Sequence, residues 1–183
     1  ALPIFAVEVD AANGLPGFEL VGLPDAAVKE AKDRVRAAVR NSGVTLPPKK
    51  ITANLAPGDV RKTGTHYDLA IALGLLAADG LLPPIPEDMA VVGELALDGA
   101  LRPVKGITAL VIAAIGLGYR SVLLPQANLS GADFIEGIAL YPVDTLAQAI
   151  ANLGGDRPMT PVAPKPWRGA APGGTGACDM ALI

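Results

Sequence analysis

Between Ile51 and Ala78 the chain reads ITANLAPGDVRKTGTHYDLAIALGLLAA, and this stretch restricts the possible folds more than any other. Ile51, Ala53 and Leu55 alternate with Thr52 and Asn54, the period of a strand with one buried face. Pro57, Gly58, Thr63 and Gly64 then break regular structure. From Tyr67 to Ala78 nearly every residue is apolar, with Asp68 the early exception, and the run is rich in Ala and Leu, which favour helix. A helix that is apolar all round belongs at the centre of a domain. The connecting loop, which carries Arg61, Lys62 and His66, is therefore expected to be exposed yet held at both ends, a place for binding or chemistry.

The rest of the composition fits one domain with an appendage. The chain has 183 residues and 51% hydrophobic content, but only 4% aromatics, so Ala, Leu, Ile and Val must fill the core. No apolar run reaches the roughly 18–20 residues of a membrane span, so no membrane partner is expected. The N-terminus begins without Met, in mid-strand pattern, and lacks the basic and apolar blocks of a signal peptide; a trimmed chain without a leader is expected. The single Cys178 leaves no internal disulfide and fits a cytoplasmic protein.

In chain order, Phe5–Val9 and Phe18–Val21 read as strands joined through a hairpin-type turn at Asn13-Gly14. Asp25–Asn41 reads as an amphipathic helix, with Val28, Ala31, Val35, Ala38 and Val39 on its buried stripe and Gly43 as its C-terminal cap. After the central strand and helix, Val91–Leu97 and Ala100–Val104 form a second hairpin about Asp98-Gly99. Gly106–Leu117 is a mostly apolar helix, Arg120–Leu124 a short buried strand, and Asn128–Glu136 a short helix and turn. Ile138–Pro142 is the last strand, followed by a helix over Thr145–Asn152 capped by Asp144. The fold class is α/β in the mixed sense, α+β with a mixed sheet containing antiparallel pairs. Domain boundaries fall at 1–155 and 156–183. The second stretch is rich in Pro and Gly, holds the only Trp, Trp167, and reads as a flexible linker.

Charge is unevenly distributed. Nine of the fifteen Lys and Arg residues fall between Lys29 and Lys62, against three acids there (Glu30, Asp33, Asp59); the rest of the chain holds six basic residues and fifteen acids. Such a segment is either a solvated helix face laced by pairs such as Lys29–Asp33 and Glu30–Arg34, or an anion-binding surface. One His and one Cys, with no clustered ligands, exclude a recognisable metal site. Gly58-Asp59-Val60-Arg61-Lys62-Thr63 lacks the preceding glycine of a phosphate-binding loop. Gly173-Gly174-Thr175-Gly176 has no strand before it or helix after it and reads as linker. His66 has no Ser or Cys partner in sequence; Tyr67 and Asp68 beside it are the only hint of chemistry, and a structural or simply exposed His is the competing reading.

Three segments carry a resemblance: VEVDAANGLPGFELVGLPDAAVKEAKDRVRAAVRNSG, ITANLAPGDVRKTGTHYDLAIALGLLA and GELALDGALRPVKG. Together they resemble the N-terminal domain of the ComM/YifB proteins, AAA+ ATPases related to magnesium chelatase (ChlI-like). The resemblance runs from about Val7 to Leu153. It implies a fold of the Lon proteolytic-domain type, also called ribosomal protein S5 domain 2-like. It also implies that ATP and Mg belong to an AAA+ module outside this chain, with no cofactor in the chain itself. The Lon pattern places a nucleophilic Ser in an Asp-Gly-Pro-Ser-Ala-Gly turn and a Lys after a later Gly-Gly. In this chain His66 stands at the first position and Thr108 at the second, so the Ser–Lys pair, in which the amine must deprotonate the hydroxyl, is replaced at both members.

The resemblance thus implies a non-peptidase domain serving a ring-forming motor, a hexamer in the full-length protein. The family role is that of a DNA helicase in branch migration during natural transformation (competence). DNA, single-stranded or branched, would be met by Arg34, Arg36, Arg40, Lys49, Lys50, Arg61 and Lys62, giving affinity without base specificity. Two alternatives stand beside it. One is a residual peptidase using Thr65 or Thr63 with Lys105; the other is a purely structural oligomerisation module whose basic patch pairs with acids of a neighbouring subunit.

Overall fold

A computed structural model describes residues 4–157 and 159–166. In chain order the elements are β1 (Ala6–Ala12), β2 (Gly17–Val21), α1 (Ala26–Lys29), α2 (Ala31–Asn41), β3 (Lys50–Ala56) and α3 (Asp68–Ala78). There follow β4 (Met89–Val91), β5 (Glu94–Leu95), β6 (Leu101–Arg102), α4 (Ile107–Gly116), β7 (Ser121–Pro125), a 3-10 turn (Gln126–Gly131), β8 (Ala139–Val143) and α5 (Leu146–Gly154). The architecture is mixed α/β.

The hairpin expected at Asn13-Gly14 does not form. β3 lies between β1 and β2, antiparallel to the first and parallel to the second. The central place suits the most apolar strand: Ile51, Ala53 and Leu55 are buried, whereas β1 carries Glu8 and Asp10 and β2 carries Glu19. Leaving β2, the chain passes tightly over β3. Gly22 has φ +99°, and a Cβ there would lie 2.1 Å from the Leu55 carbonyl oxygen, so no other residue fits. Asp25 then caps α1, accepting the Val28 N–H at 2.8 Å. The expected long helix is broken at Glu30 into α1 and α2, but its buried stripe is the one that the spacing predicts.

α3 forms the centre, with Leu69, Ile71, Ala72, Leu73 and Leu76 wholly buried. It crosses β1 closely at Gly74, where a Cβ would sit 2.8 Å from Val9 Cγ2. The second sheet has the order β4-β7-β8, and its strands are all parallel. The long hairpin expected over Val91–Val104 shrinks to β5 and β6, because β4 joins β7 instead. β7 is buried along its whole length and so needs neighbours on both edges. Leu123 points into the core around α3, and Val122 and Leu124 into a second cluster under α4.

The cap of α5 is Thr145 rather than Asp144. Its hydroxyl accepts the Gln148 N–H at 3.1 Å, and Gln148 Oε1 accepts the Asp144 N–H at 2.8 Å. The described part of the stretch after Gly155 lies against the domain: Val162 bridges to Leu140, and Lys165 binds Asp133. Trp167, Cys178 and the Gly-rich run lie outside the described residues. Among the described residues no helix is long and apolar enough to cross a membrane.

Candidate functional site

The loop between β3 and α3 is fixed by two buried charges. Asp68 opens α3 with its side chain fully buried. Arg34 reaches it from α2 in a two-point pair, Nε to Oδ2 at 2.6 Å and Nη2 to Oδ1 at 3.0 Å; Oδ2 also accepts the Leu95 N–H at 3.1 Å. Arg34 Nη2 donates further to the Ala27 carbonyl at 2.9 Å. Burial pushes the Asp68 carboxyl up, against the opposing pull of Arg34 and the Leu95 N–H. The Arg34 guanidinium is raised, chiefly by its bond to Asp68. One cluster thus joins α2, α3 and β5. Residue order alone does not pair these two, though it holds a signal: an acid heading an otherwise apolar helix requires a buried cation.

Lys62 is the second anchor. Its backbone N–H donates to the Leu23 carbonyl at 3.1 Å, and its carbonyl accepts the Asp25 N–H at 3.0 Å. Its side chain is buried; the ammonium donates to the Pro57 carbonyl and lies 5.0 Å from the centroid of the Phe5 ring. The loop is therefore tied both to the start of α1 and to itself.

These contacts divide the seven cations expected to meet phosphate. Lys62 is interior, contrary to the expectation of an exposed loop lysine. Arg34 is committed to Asp68, and Lys49 to Asp79 at 2.5 Å. Lys50 is exposed but stands on the open face of the first sheet. It shares that face with Glu8, Asp10 and Glu19, because side chains of one face recur at every second residue and lie opposite one another across the ladder. Arg36, Arg40 and Arg61 remain. Arg36 and Arg40 lie one turn apart on the exposed side of α2, Arg36 5.5 Å from the centroid of the Phe18 ring. Lys29 and Lys32 extend this exposed side towards α1, with Glu30 and Asp33 interspersed. Arg61 is exposed beside the point where Lys62 is bound to Leu23 and Asp25, just ahead of α1.

His66 and Thr108, the positions that the resemblance sets against the Ser–Lys pair, do not line one cleft. A cleft of about 670 Å³ runs between β1, α3, β4 and α4, and Phe5, His66, Tyr67, Val91 and Leu110 are among its walls. Thr108 is not among them; its hydroxyl donates to the Gly131 carbonyl at 2.6 Å. The Thr65 hydroxyl donates to Glu94. Burial pulls His66 below its ordinary value, which keeps the imidazole neutral at pH 7. Burial, reinforced by the Asp25 charge, pushes Tyr67 up to about 12. The two rings lie 4.0 Å apart, and Tyr67 packs on Phe5 at 6.0 Å. The described lining holds no lysine; its polar side chains are Glu8, His66, Tyr67, Glu87 and Tyr119.

Residues 7–128 match the family described as subunit ChlI of Mg-chelatase. The chain is 44% identical to YifB of Escherichia coli over 165 residues, covering 90% of this chain and 32% of that protein. It is 40% identical to competence protein ComM of Haemophilus influenzae over 158 residues, 86% of this chain and 31% of that one. An archaeal Lon protease of Thermococcus kodakarensis is more distant, 30% identical over 155 residues, 81% of this chain and 24% of the protease. The chain spans about a third of the length of the ComM and YifB proteins it matches.

Proposed function

The chain belongs to the ComM/YifB family, in which it is the N-terminal, ChlI-like domain; from that premise we propose that it is a DNA-gripping and assembly domain of Lon-like fold for an AAA+ motor, without peptidase chemistry. The observation that carries this reading is the exposed cationic side of α1 and α2, with Arg36, Arg40 and the neighbouring loop residue Arg61 free of internal ion pairs among the described residues. Such groups meet phosphates without reading bases, which suits a motor that moves along or branches DNA of any sequence. ATP and Mg would act in the motor module. Assembly into a ring belongs to the same reading, supported by Val21, Leu23 and Val60, large apolar side chains that stand exposed at the end of β2, ahead of α1 and in the loop after β3.

A salt titration tests the grip. Fluorescence anisotropy of a labelled duplex and of a single strand, read from low to moderate salt, gives the slope of log K against log salt. Replacing Arg36, Arg40 and Arg61 together by Ala lowers affinity and flattens the duplex slope by about 2–3, at roughly 0.9 per lost phosphate contact. Replacing Lys50 leaves the slope nearly unchanged. An unaltered slope in the triple variant would refute contact between this surface and DNA.

A further inference from the structure

Both three-stranded sheets end in an unused edge on the same cleft. Across β4 and β7 the bonded residues alternate: the Asp88 carbonyl accepts the Ser121 N–H at 3.2 Å, and the Val92 N–H donates to the Leu123 carbonyl at 3.0 Å. Even-numbered residues of β4 thus face β7, and the N–H and C=O of Val91 face away from it. The same alternation fixes β1. The Gly17 N–H donates to the Lys49 carbonyl at 3.3 Å, which turns the peptide groups of Ile51, Ala53 and Leu55 towards β2 and those of Thr52 and Asn54 towards β1. Asp10 and Glu8, opposite these two, take the ladder bonds, so the peptide groups of Val7, Val9 and Ala11 point to the free edge. Among the described residues no loop takes them up.

An open edge is a template for another strand. Here two of them, with Val7 on one side and Val91 on the other, border the cleft of about 670 Å³. α3 runs along it, and this otherwise buried helix is partly exposed at Ala70 and Gly74, one turn apart on the cleft side. Phe5, Tyr67 and Leu110 add apolar wall. The charged side chains of the described lining, Glu8 and Glu87, are both exposed acids.

We propose that this cleft is a slot for one extended segment of a partner protein, apolar at alternate residues and flanked by Lys or Arg, which enters as an added strand. The backbone of the segment bonds the free groups of Val7 and Val91, its apolar side chains on one face cover Ala70, Gly74 and Tyr67, and its cations meet Glu8 and Glu87. No residue of α1 or α2 lines the slot, so it works whether or not the domain grips DNA.

A fluorescein-labelled peptide, Lys-Val-Thr-Val-Thr-Val-Lys, probes the slot in the 183-residue chain. Its anisotropy rises to saturation, and the Val7 and Val91 amides, fast to exchange by NMR in the free chain, become protected. N-methylation of the peptide's valines, which blocks pairing along one edge, weakens binding about tenfold or more. Glu in place of its two Lys weakens binding severalfold at low salt, as does Glu87→Lys in the protein. Val91→Pro removes an N–H that faces the cleft and no bond of the ladder to β7; its melting curve stays near the parental one while affinity falls about tenfold. Should Val91→Pro melt early, Glu87→Lys and the exchange data decide. Absence of saturable binding would overturn the proposal, as would binding indifferent to N-methylation or unaltered in a folded Val91→Pro. Val7 and Val91 amides already protected in the free chain would mean that the chain fills its own slot, and self-association lost in Val91→Pro would assign the slot to a second copy; either result also overturns it.

Discussion

The pair formed by Arg34 and Asp68 offers the sharpest test of how this domain is held together. The two residues are separated by 34 positions in sequence. Asp68 is fully buried and Arg34 only 17% exposed, so neither charge is solvated when its partner is removed. Asp68→Ala leaves the guanidinium only the Ala27 carbonyl and the exposed Glu30 carboxylate at 3.7 Å, and leaves the Leu95 N–H without its acceptor; Arg34→Ala strands a buried carboxylate. Breaking a buried pair from one side costs about 3–5 kcal/mol. In a chain of this size each kcal/mol moves the melting temperature by about 2–4 °C, so each single variant melts roughly 6–20 °C lower. The double variant removes both charges together, and its loss falls short of the sum of the singles by about 2–3 kcal/mol. Urea unfolding of the four proteins, with the slope of the transition checked for constancy, measures the cycle. If either single change costs under about 1 kcal/mol, as exposed ion pairs do, or if the two effects simply add, the buried clamp is not what the geometry indicates.

Two further perturbations follow from the same physical picture. His66 is the only histidine, and burial lowers its value from 6.5. The unfolded chain therefore takes up this proton first, and His66 adds stability that is complete above pH 6.5 and is lost as pH falls below it through the folded value. Melting temperature should drop on acidification through that window, and His66→Phe should flatten the slope; an unchanged slope would place the imidazole in solvent. Gly22→Ala places a methyl group 2.1 Å from the Leu55 carbonyl oxygen at a φ of +99°. It should cost several kcal/mol, on the order of 3 or more, from strain and loss of the β2–β3 contact. Near-parental urea stability would show that the strand can shift aside.

The site was legible only in part. That a loop tied at both ends joins the central strand to the buried helix could be read from alternation, breakers and a long apolar run. That Arg34, Lys49 and Lys62 turn inwards while Arg36, Arg40 and Arg61 stay in water could not, because a cation has the same letter in either place. The difference is made by Asp68, Asp79 and the Pro57 carbonyl, groups brought to those cations only by packing.

Periodicity records which side of an element is apolar, so the stripe on α2, the burial of α3 and the half-buried face of β3 follow from residue order alone. The family resemblance was legible there too. Packing of distant segments set that β3 enters between β1 and β2, that β4 leaves its expected hairpin to lie beside β7, and that Lys50 shares a sheet face with three carboxylates. Those outcomes depend on which distant segments meet. Strand neighbours and ion partners are chosen by the closure of the whole chain around its core, a competition among long-range contacts that no local pattern of residues records.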